Sequence, residues 1–178
     1  LGPSDAVACP RLSEVDIVLA QLGIACSARL VGVPGAGKSI CSYQVAKAMA
    51  ADGFEVRRLP DPQAARITLE DASLGKRCLY LIDDAHLLPR HMLERLEEQA
   101  NPDCPLLSTH NAVERGCIHR GAIALDAKRA VKTIAAALRA DLPKTFEAVR
   151  LADDEVGERM MDTDLGDRLD HAESTAEV

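Results

Sequence analysis

Aromatic residues are scarce in this sequence, which contains two Tyr, two Phe and no Trp among 178 residues. Proteins that bind single-stranded nucleic acid commonly stack the bases on exposed aromatic rings, so this scarcity argues against such a surface. The sequence also lacks a run of about 18 uncharged apolar residues, which a membrane-spanning helix requires, and a basic segment followed by an apolar leader. We therefore expect neither a membrane anchor nor a membrane partner.

The cysteines show no spacing typical of a disulfide framework or a zinc site. The sequence contains no CxxC pair and no nearby His doublet, and several cysteines lie in apolar segments that read as core elements. Such thiols are typical of a reduced, cytoplasmic protein, which is the location we expect. The six residues are Cys9, Cys26, Cys41, Cys78, Cys104 and Cys117.

An excess of positive charge is also lacking, because the formal net charge is −7. A general affinity for nucleic acid or anionic lipid is therefore disfavoured. The acidity is concentrated in residues 153–178, which carry ten acidic and two basic side chains, whereas the first 152 residues have a net charge of +1. We predict an N-terminal extension over residues 1–12, one domain over residues 13–140 and an acidic extension, partly helical or disordered, over residues 141–178.

Segments with helical and strand periodicity alternate along the predicted domain. Helices are expected at residues 13–23, 38–51, 61–75, 89–100 and 126–139, and strands at residues 28–31, 54–59, 78–82, 105–109 and 122–125. This alternation indicates a mainly parallel sheet with right-handed crossovers. The predicted fold class is therefore α/β, a three-layer α/β/α sandwich.

Several of these elements have predictable ends and faces. Ser13 and Asp16 suggest a capping box for the first helix, and Gly23 is a candidate for its end. Asp126 is expected to cap the last helix. Leu93 and Leu96 are expected to face the core from the 89–100 helix. The last helix is expected to bury one face formed by Ala130, Val131, Ile134 and Leu138.

A glycine-rich segment between the first strand and the next helix matches G-x-x-x-x-G-K-[ST] in full. Glycines let backbone N–H groups approach a triphosphate closely, and the helix N-terminus that follows favours an anion. We expect Lys38 to reach the β- and γ-phosphates and Ser39 to bind Mg²⁺. The predicted nucleotide-binding residues are Gly32, Val33, Pro34, Gly35, Ala36, Gly37, Lys38, Ser39 and Ile40.

Two adjacent acids follow the most apolar predicted strand, Cys78 to Ile82. Asp83 is predicted to hold Mg²⁺ through its water shell, and Asp84 to polarise the attacking water. Asp84 is one methylene shorter than the Glu that is common in vigorous ATPases, which predicts slow hydrolysis. For His86, local packing or capping and contact with the γ-phosphate region are both open interpretations.

Polar residues at the end of the 105–109 strand are candidate sensors of the γ-phosphate. The carboxyl ends of parallel strands meet at one edge of a sheet, so this strand end should lie beside that of Asp83. Thr109 is the first candidate and Asn111 the second, with simple turn contacts as the alternative. Arg115 and Arg120 are candidates to neutralise transition-state charge, in cis or across a subunit boundary, and ordinary solvated arginines are the alternative.

Together, the GVPGAGKS loop, LYLIDDAHLLP and LLSTHN resemble the additional-strand (ASCE) division of P-loop ATPases, and in particular STAND and AAA+ proteins. The resemblance covers residues 13–140. It implies a five-stranded core sheet, ATP with Mg²⁺, and nucleotide-dependent assembly or switching with a protein partner or with further copies of the chain. Such proteins carry a helical lid after the core. Residues 141–178 are too few and too acidic for a full lid, so the chain is either a minimal member or a fragment.

Three other functions remain open at this stage. A viral superfamily 1-like RNA helicase shares the phosphate loop, but it shows Gly-Asp-x-x-Gln where this chain has Ser108 to Asn111. A nucleotide or small-molecule kinase needs an arginine-rich lid after the core. Only weak support for such a lid comes from Arg115, Arg120 and Arg129. A module that binds ATP or ADP without hydrolysis is the third. Nucleic acid is thus a less favoured partner, and the absence of Asn-Lys-x-Asp argues against a GTPase.

Overall fold

The computed structural model describes residues 9–59, 76–111 and 121–152. Within these residues, strands and helices follow one another along the chain as the sequence predicts. The α-helices are α1 (Glu14–Ala25), α2 (Lys38–Ala51), α3 (Arg90–Gln99) and α4 (Ala127–Ala152), and a short 3-10 helix covers Ala85–Leu87. The strands are β1 (Ser27–Gly32), β2 (Glu55–Arg58), β3 (Cys78–Ile82), β4 (Leu106–Asn111) and β5 (Ala122–Ala124).

The five strands form one parallel sheet in the order β2-β3-β4-β1-β5. The strand β4 therefore lies between β1, which leads into the glycine-rich loop, and β3, which leads into the two acids. In the register, Leu30 of β1 is opposite Thr109 of β4, and Ile82 of β3 is opposite Ser108. The order thus brings the carboxyl ends of β1, β3 and β4 together at one edge.

Each face of the sheet carries its own hydrophobic core. Successive residues of a strand point to opposite faces, so Leu81 joins the cluster that contains residues of α1, α2 and α4, while Tyr80 and Ile82 join the cluster with Leu93 and Leu96 of α3. Helices on both faces give three layers. The predicted α/β/α sandwich with a mainly parallel five-stranded sheet is therefore confirmed.

Most predicted boundaries agree with the structure. The bounds of α2 and β3 are those predicted, and the other described strands differ from the prediction by one or two residues at an end. The Oδ1 atom of Asp126 accepts hydrogen bonds from the backbone N–H groups of Lys128, at 3.0 Å, and Arg129, at 3.4 Å, so this residue caps α4 as predicted. Leu93 and Leu96 are buried, also as predicted.

The predicted ends of α1 are wrong. Ser13 has helical backbone angles and its hydroxyl donates to the carboxylate of Glu14, so no capping box forms. Instead, the side chain of Gln44 accepts a 2.9 Å hydrogen bond from the backbone N–H of Leu12, just before the helix. At the other end the helix passes Gly23 and stops at Ala25, because Cys26 takes the left-handed conformation that closes it.

The helix α4 is longer than predicted. It continues from residue 139 to Ala152 and so crosses the predicted domain boundary at residue 140. Val131 and Ile134 are buried, but Leu138, predicted on the same buried face, is 41% exposed. Among the described helices, none combines the length and the apolar composition that a membrane crossing requires. The predicted 61–75 helix and the acidic residues 153–178 lie outside the described part of the chain.

The prediction of buried thiols holds for three of the five cysteines in the described residues. Cys41, Cys78 and Cys104 are buried, Cys9 and Cys26 are half-buried, and none of these five forms a disulfide. Burial, with a smaller contribution from the negative charge of Glu14, raises the pKa of the Cys41 thiol to about 12. This thiol therefore behaves as a small apolar side chain of the core.

Candidate nucleotide site

The glycine-rich loop joins the end of β1 to the start of α2, and three of its small residues are required by its shape. A Cβ atom on Gly32 would lie 2.9 Å from the Cβ atom of Ala36, so no side chain fits there. Gly35 has φ 77° and Gly37 has φ 84°, a backbone region that L side chains rarely adopt. The glycines of the sequence motif are therefore required by the conformation of the loop itself, in addition to the access that they give a phosphate.

Lys38 folds back over this loop. Its Nζ atom donates to the backbone carbonyls of Gly32 and Val33, each at 2.9 Å, and the residue is buried. Burial lowers the pKa of Lys38, while the negative charges of Asp84 and Asp83 act in the opposite direction. The ammonium group is thus held at the mouth of the loop, within electrostatic reach of the two acids.

The other predicted loop residues divide into buried and exposed positions. Ser39, in the first turn of α2, is exposed, and its backbone carbonyl accepts a 2.9 Å hydrogen bond from the hydroxyl of Ser42. Ile40 lies in the core, so only its backbone can face a nucleotide. Val33 and Pro34 are exposed beside the loop glycines.

Thr109 ties the two acids together at the end of β4. Its hydroxyl donates to Oδ1 of Asp83 at 2.9 Å and accepts a hydrogen bond from the backbone N–H of Asp84 at 2.9 Å. Asp84 has a positive φ of 51°, a conformation that is uncommon for a residue with a side chain, and its carboxylate is 58% exposed. The β4 strand end therefore fixes the turn that aims Asp84 away from the sheet.

Arg58, at the end of β2, also contacts Asp83. Its Nη2 atom donates to Oδ2 of Asp83 at 2.9 Å. Arg58 is not among the site residues predicted from the sequence. The signal that could have found it is positional, because Arg58 ends a strand predicted to lie in the same parallel sheet as the strand before Asp83.

His86 and Asn111 form a second polar pair beside the acids. The amide Nδ2 of Asn111 lies 3.2 Å from Nε2 of His86. Nδ1 of the same imidazole lies 3.9 Å from Oδ1 of Asp84. His86 therefore contacts Asn111, the second sensor candidate, and both lie next to Asp84.

The residues present fit a magnesium ion that is bound together with a nucleotide. Mg²⁺ prefers oxygen ligands and usually takes one or two from the protein and the rest from phosphate and water, and Ser39 and Asp83 supply such oxygens. The Asp83 carboxylate already binds a cation, the guanidinium of Arg58. Within the described residues no group of three or more His, Cys, Asp or Glu side chains could hold a metal alone.

A small pocket connects these elements. It lies between α2 and the ends of β2, β3 and β4, so the helix that carries Ser39 and the strand end that carries Asp83 face the same space. Its lining includes Ser42, Tyr43, Arg58, Leu81, Asp83 and Thr109. The candidate arginines Arg115 and Arg120 lie outside the described residues, and Arg129 is exposed on α4.

Comparisons with known proteins find similarity of structure and none of sequence. No protein-family model matches the chain, and no curated protein matches it significantly. Among solved structures, it is similar to the Hsp104:casein complex of S. cerevisiae, with a TM-score of 0.51 and 16% identity over 83% of this chain and 33% of that chain. The chain therefore spans about a third of Hsp104.

Two further solved structures show weaker likeness. A DNA replication initiation factor gives a TM-score of 0.49 and 15% identity over 99% of this chain and 59% of that chain. Cdc6p from Pyrobaculum aerophilum gives a TM-score of 0.45 and 15% identity over 66% and 45%, respectively. At such identities the likeness to Hsp104 is one of fold. The described residues have the P-loop NTPase fold.

Proposed function

We propose that this chain binds and hydrolyses ATP in the presence of Mg²⁺ and acts as a slow nucleotide-controlled switch or assembly ATPase. The observation that carries the proposal is the joint placement of a complete phosphate loop and of the Asp83–Thr109–Asp84 network at one edge of the sheet. The position of β4 between β1 and β3 supports assignment to the additional-strand division, and the likeness of fold to Hsp104 agrees with an AAA+ ATPase.

The loop supplies the binding energy for the phosphates. Its backbone N–H groups and the N-terminus of α2 present positive partial charge, and Lys38 adds a full charge at the mouth. Lys38 exchanges its carbonyl partners for phosphate oxygens when ATP binds. A neutral or acidic overall composition does not prevent this, because the positive potential is local.

Hydrolysis depends on the two acids. Ser39, together with Asp83 through the water shell of the ion, would hold Mg²⁺, and the ion would supply positive charge against that of the phosphates. Asp84, aimed into solvent by its left-handed backbone, orients the attacking water. Its short side chain limits how well it reaches that water, so turnover is slow.

Thr109 connects this chemistry to the rest of the domain. Because one hydroxyl contacts both Asp83 and the backbone of Asp84, a rearrangement of either acid after loss of the γ-phosphate moves the end of β4. We infer that this motion is read by a protein partner or by a neighbouring copy of the chain. A helicase is disfavoured because β4 ends in Ser-Thr-His-Asn and aromatic side chains are few.

The test is ATP turnover measured with and without single-stranded RNA or DNA, for the wild-type chain and for Lys38→Ala. The matched control is Lys47→Ala, which removes an exposed lysine from the same helix. We expect slow, Mg²⁺-dependent turnover that is lost in Lys38→Ala, kept in Lys47→Ala and insensitive to nucleic acid. Turnover that survives Lys38→Ala would refute the assignment of ATP hydrolysis to this loop. Strong stimulation by nucleic acid would refute the proposed role as a switch. The size of the protein in solution with ATP and with ADP then tests assembly.

A further inference from the structure

Both carboxylate oxygens of Asp83 are engaged, but by very different partners. Oδ1 accepts from the hydroxyl of Thr109, which is buried in the sheet, at 2.9 Å. Oδ2 accepts from Nη2 of Arg58, also at 2.9 Å, and the Arg58 side chain is 60% exposed. The first contact belongs to the framework of the fold, whereas the second is made by a long, flexible side chain that reaches in from the surface.

The backbone under Arg58 is fixed independently of this ion pair. Arg58 pairs with Leu81 across the sheet, and the backbone N–H of Leu59 donates to the carbonyl of Leu81 at 2.8 Å. Arg58 can therefore release Asp83 by side-chain rotation, without a change in β2. Because the Arg58 side chain is 60% exposed, its guanidinium can swing into solvent while Thr109 keeps Asp83 in place.

We infer that Arg58 is a cation placeholder, which neutralises Oδ2 of Asp83 in the nucleotide-free protein and competes with Mg²⁺ for that carboxylate. This inference rests on the proposed function, because it assigns Asp83 to the metal. A guanidinium and a hydrated Mg²⁺ ion are both cations that the single Asp83 carboxylate attracts, and they repel each other when both are held there. Arg58 thus sets the Mg²⁺ concentration at which the loaded state forms.

The size of the effect follows from the exposure of the pair. An ion pair in which one partner is more than half exposed is screened by solvent and contributes little. We expect its removal to lower the half-saturating Mg²⁺ concentration by about two- to fivefold. A more buried Arg58 would compete more strongly with Mg²⁺ for Asp83, and a fully exposed one would not compete measurably.

The experiment follows binding, not turnover. A fluorescent ATP analogue at one fixed concentration is titrated with Mg²⁺ in the presence of wild-type protein, Arg58→Gln and Arg57→Gln. Arg57→Gln is the matched control, since it removes the same charge from the neighbouring position of β2, where the side chain contacts Glu55. The solution equilibrium between Mg²⁺ and the analogue is common to all three titrations, and thermal melts compare their folding.

We expect the half-saturating Mg²⁺ concentration to fall by about two- to fivefold in Arg58→Gln and to stay at the wild-type value in Arg57→Gln. An unchanged or higher value in Arg58→Gln overturns the inference, as does an equal fall in both variants, which would indicate a general charge effect. Failure of the wild-type protein to bind the analogue at saturating Mg²⁺ would instead overturn the proposed function, so the two failures are distinguishable.

Discussion

Substitution of Thr109 by Val tests whether one hydroxyl organises the acidic end of β3. Val has nearly the shape of Thr, so Thr109→Val removes the hydroxyl without opening a cavity. Two hydrogen bonds are lost, one to the carboxylate of Asp83 and one from the backbone N–H of Asp84, each at 2.9 Å. Both groups keep their places beside a side chain that can no longer pair with them.

The expected loss of stability can be worked from these contacts. A hydrogen bond to a charged group contributes about 1.5–3 kcal/mol, and a neutral one about 0.5–1.5 kcal/mol. Asp83 is 25% exposed and Asp84 more so, which lets water replace part of what is lost. We therefore expect Thr109→Val to lower the free energy of unfolding by about 2–3 kcal/mol. Thr109→Ser keeps the hydroxyl and loses only a methyl group, for about 1 kcal/mol.

Urea denaturation followed by circular dichroism measures both variants. The order of stability should be wild type, then Thr109→Ser, then Thr109→Val. If the free energy of unfolding of Thr109→Val lies within about 0.5 kcal/mol of the wild-type value, or exceeds that of Thr109→Ser, the hydroxyl does not organise the acids and the reasoning is refuted.

Two further predictions concern the core. Glu97 and Arg29 form a bidentate ion pair whose side chains are only 18% and 11% exposed. Glu97→Gln leaves the guanidinium without a counter-charge and should lower the free energy of unfolding by about 2–4 kcal/mol. The control Glu98→Gln, at an exposed neighbouring position, should change it little, and equal urea midpoints for the two variants would contradict the prediction. The pKa of Cys41 is about 12 in the folded protein against an ordinary 9.0, so the thiol ionises first in the unfolded chain and stability falls as pH rises from 9 towards 12. The unfolding free energy of the wild type should decline by about 1.3 kcal/mol per pH unit more than that of Cys41→Ala between pH 10 and 11, and parallel pH profiles would refute the assignment.

The elements that could be predicted from the sequence are those whose signal is local. The bounds of β3 and α2 follow from a continuous apolar run and from a glycine-rich loop that must end where a helix starts. The placement of Thr109 and Asp83 at the same edge follows from a general property of parallel sheets, since their carboxyl ends share one edge.

The features that sequence reasoning missed depend on distant contacts. Before α1, the backbone N–H of Leu12 is satisfied by Gln44, 32 residues away, so the local Ser13 signal is not used. The contact of Arg58 with Asp83 requires β2 to be the neighbour of β3, which the periodicity of a four-residue strand cannot specify. Strand order is decided by the packing of the whole sheet, and side chains at its edge follow from that order.

The central claim is that the loop from Gly32 to Ser39 binds the phosphates of ATP through its backbone and Lys38. Calorimetric titration of the protein with a non-hydrolysable ATP analogue and Mg²⁺ tests it most directly, for wild type, Lys38→Ala and the exposed-lysine control Lys47→Ala. Removing a charge-assisted hydrogen bond of about 1.5–3 kcal/mol should weaken binding by about 10- to 100-fold in Lys38→Ala and leave Lys47→Ala at the wild-type affinity. Equal affinity of Lys38→Ala and wild type, or no binding by the wild type, would contradict the account.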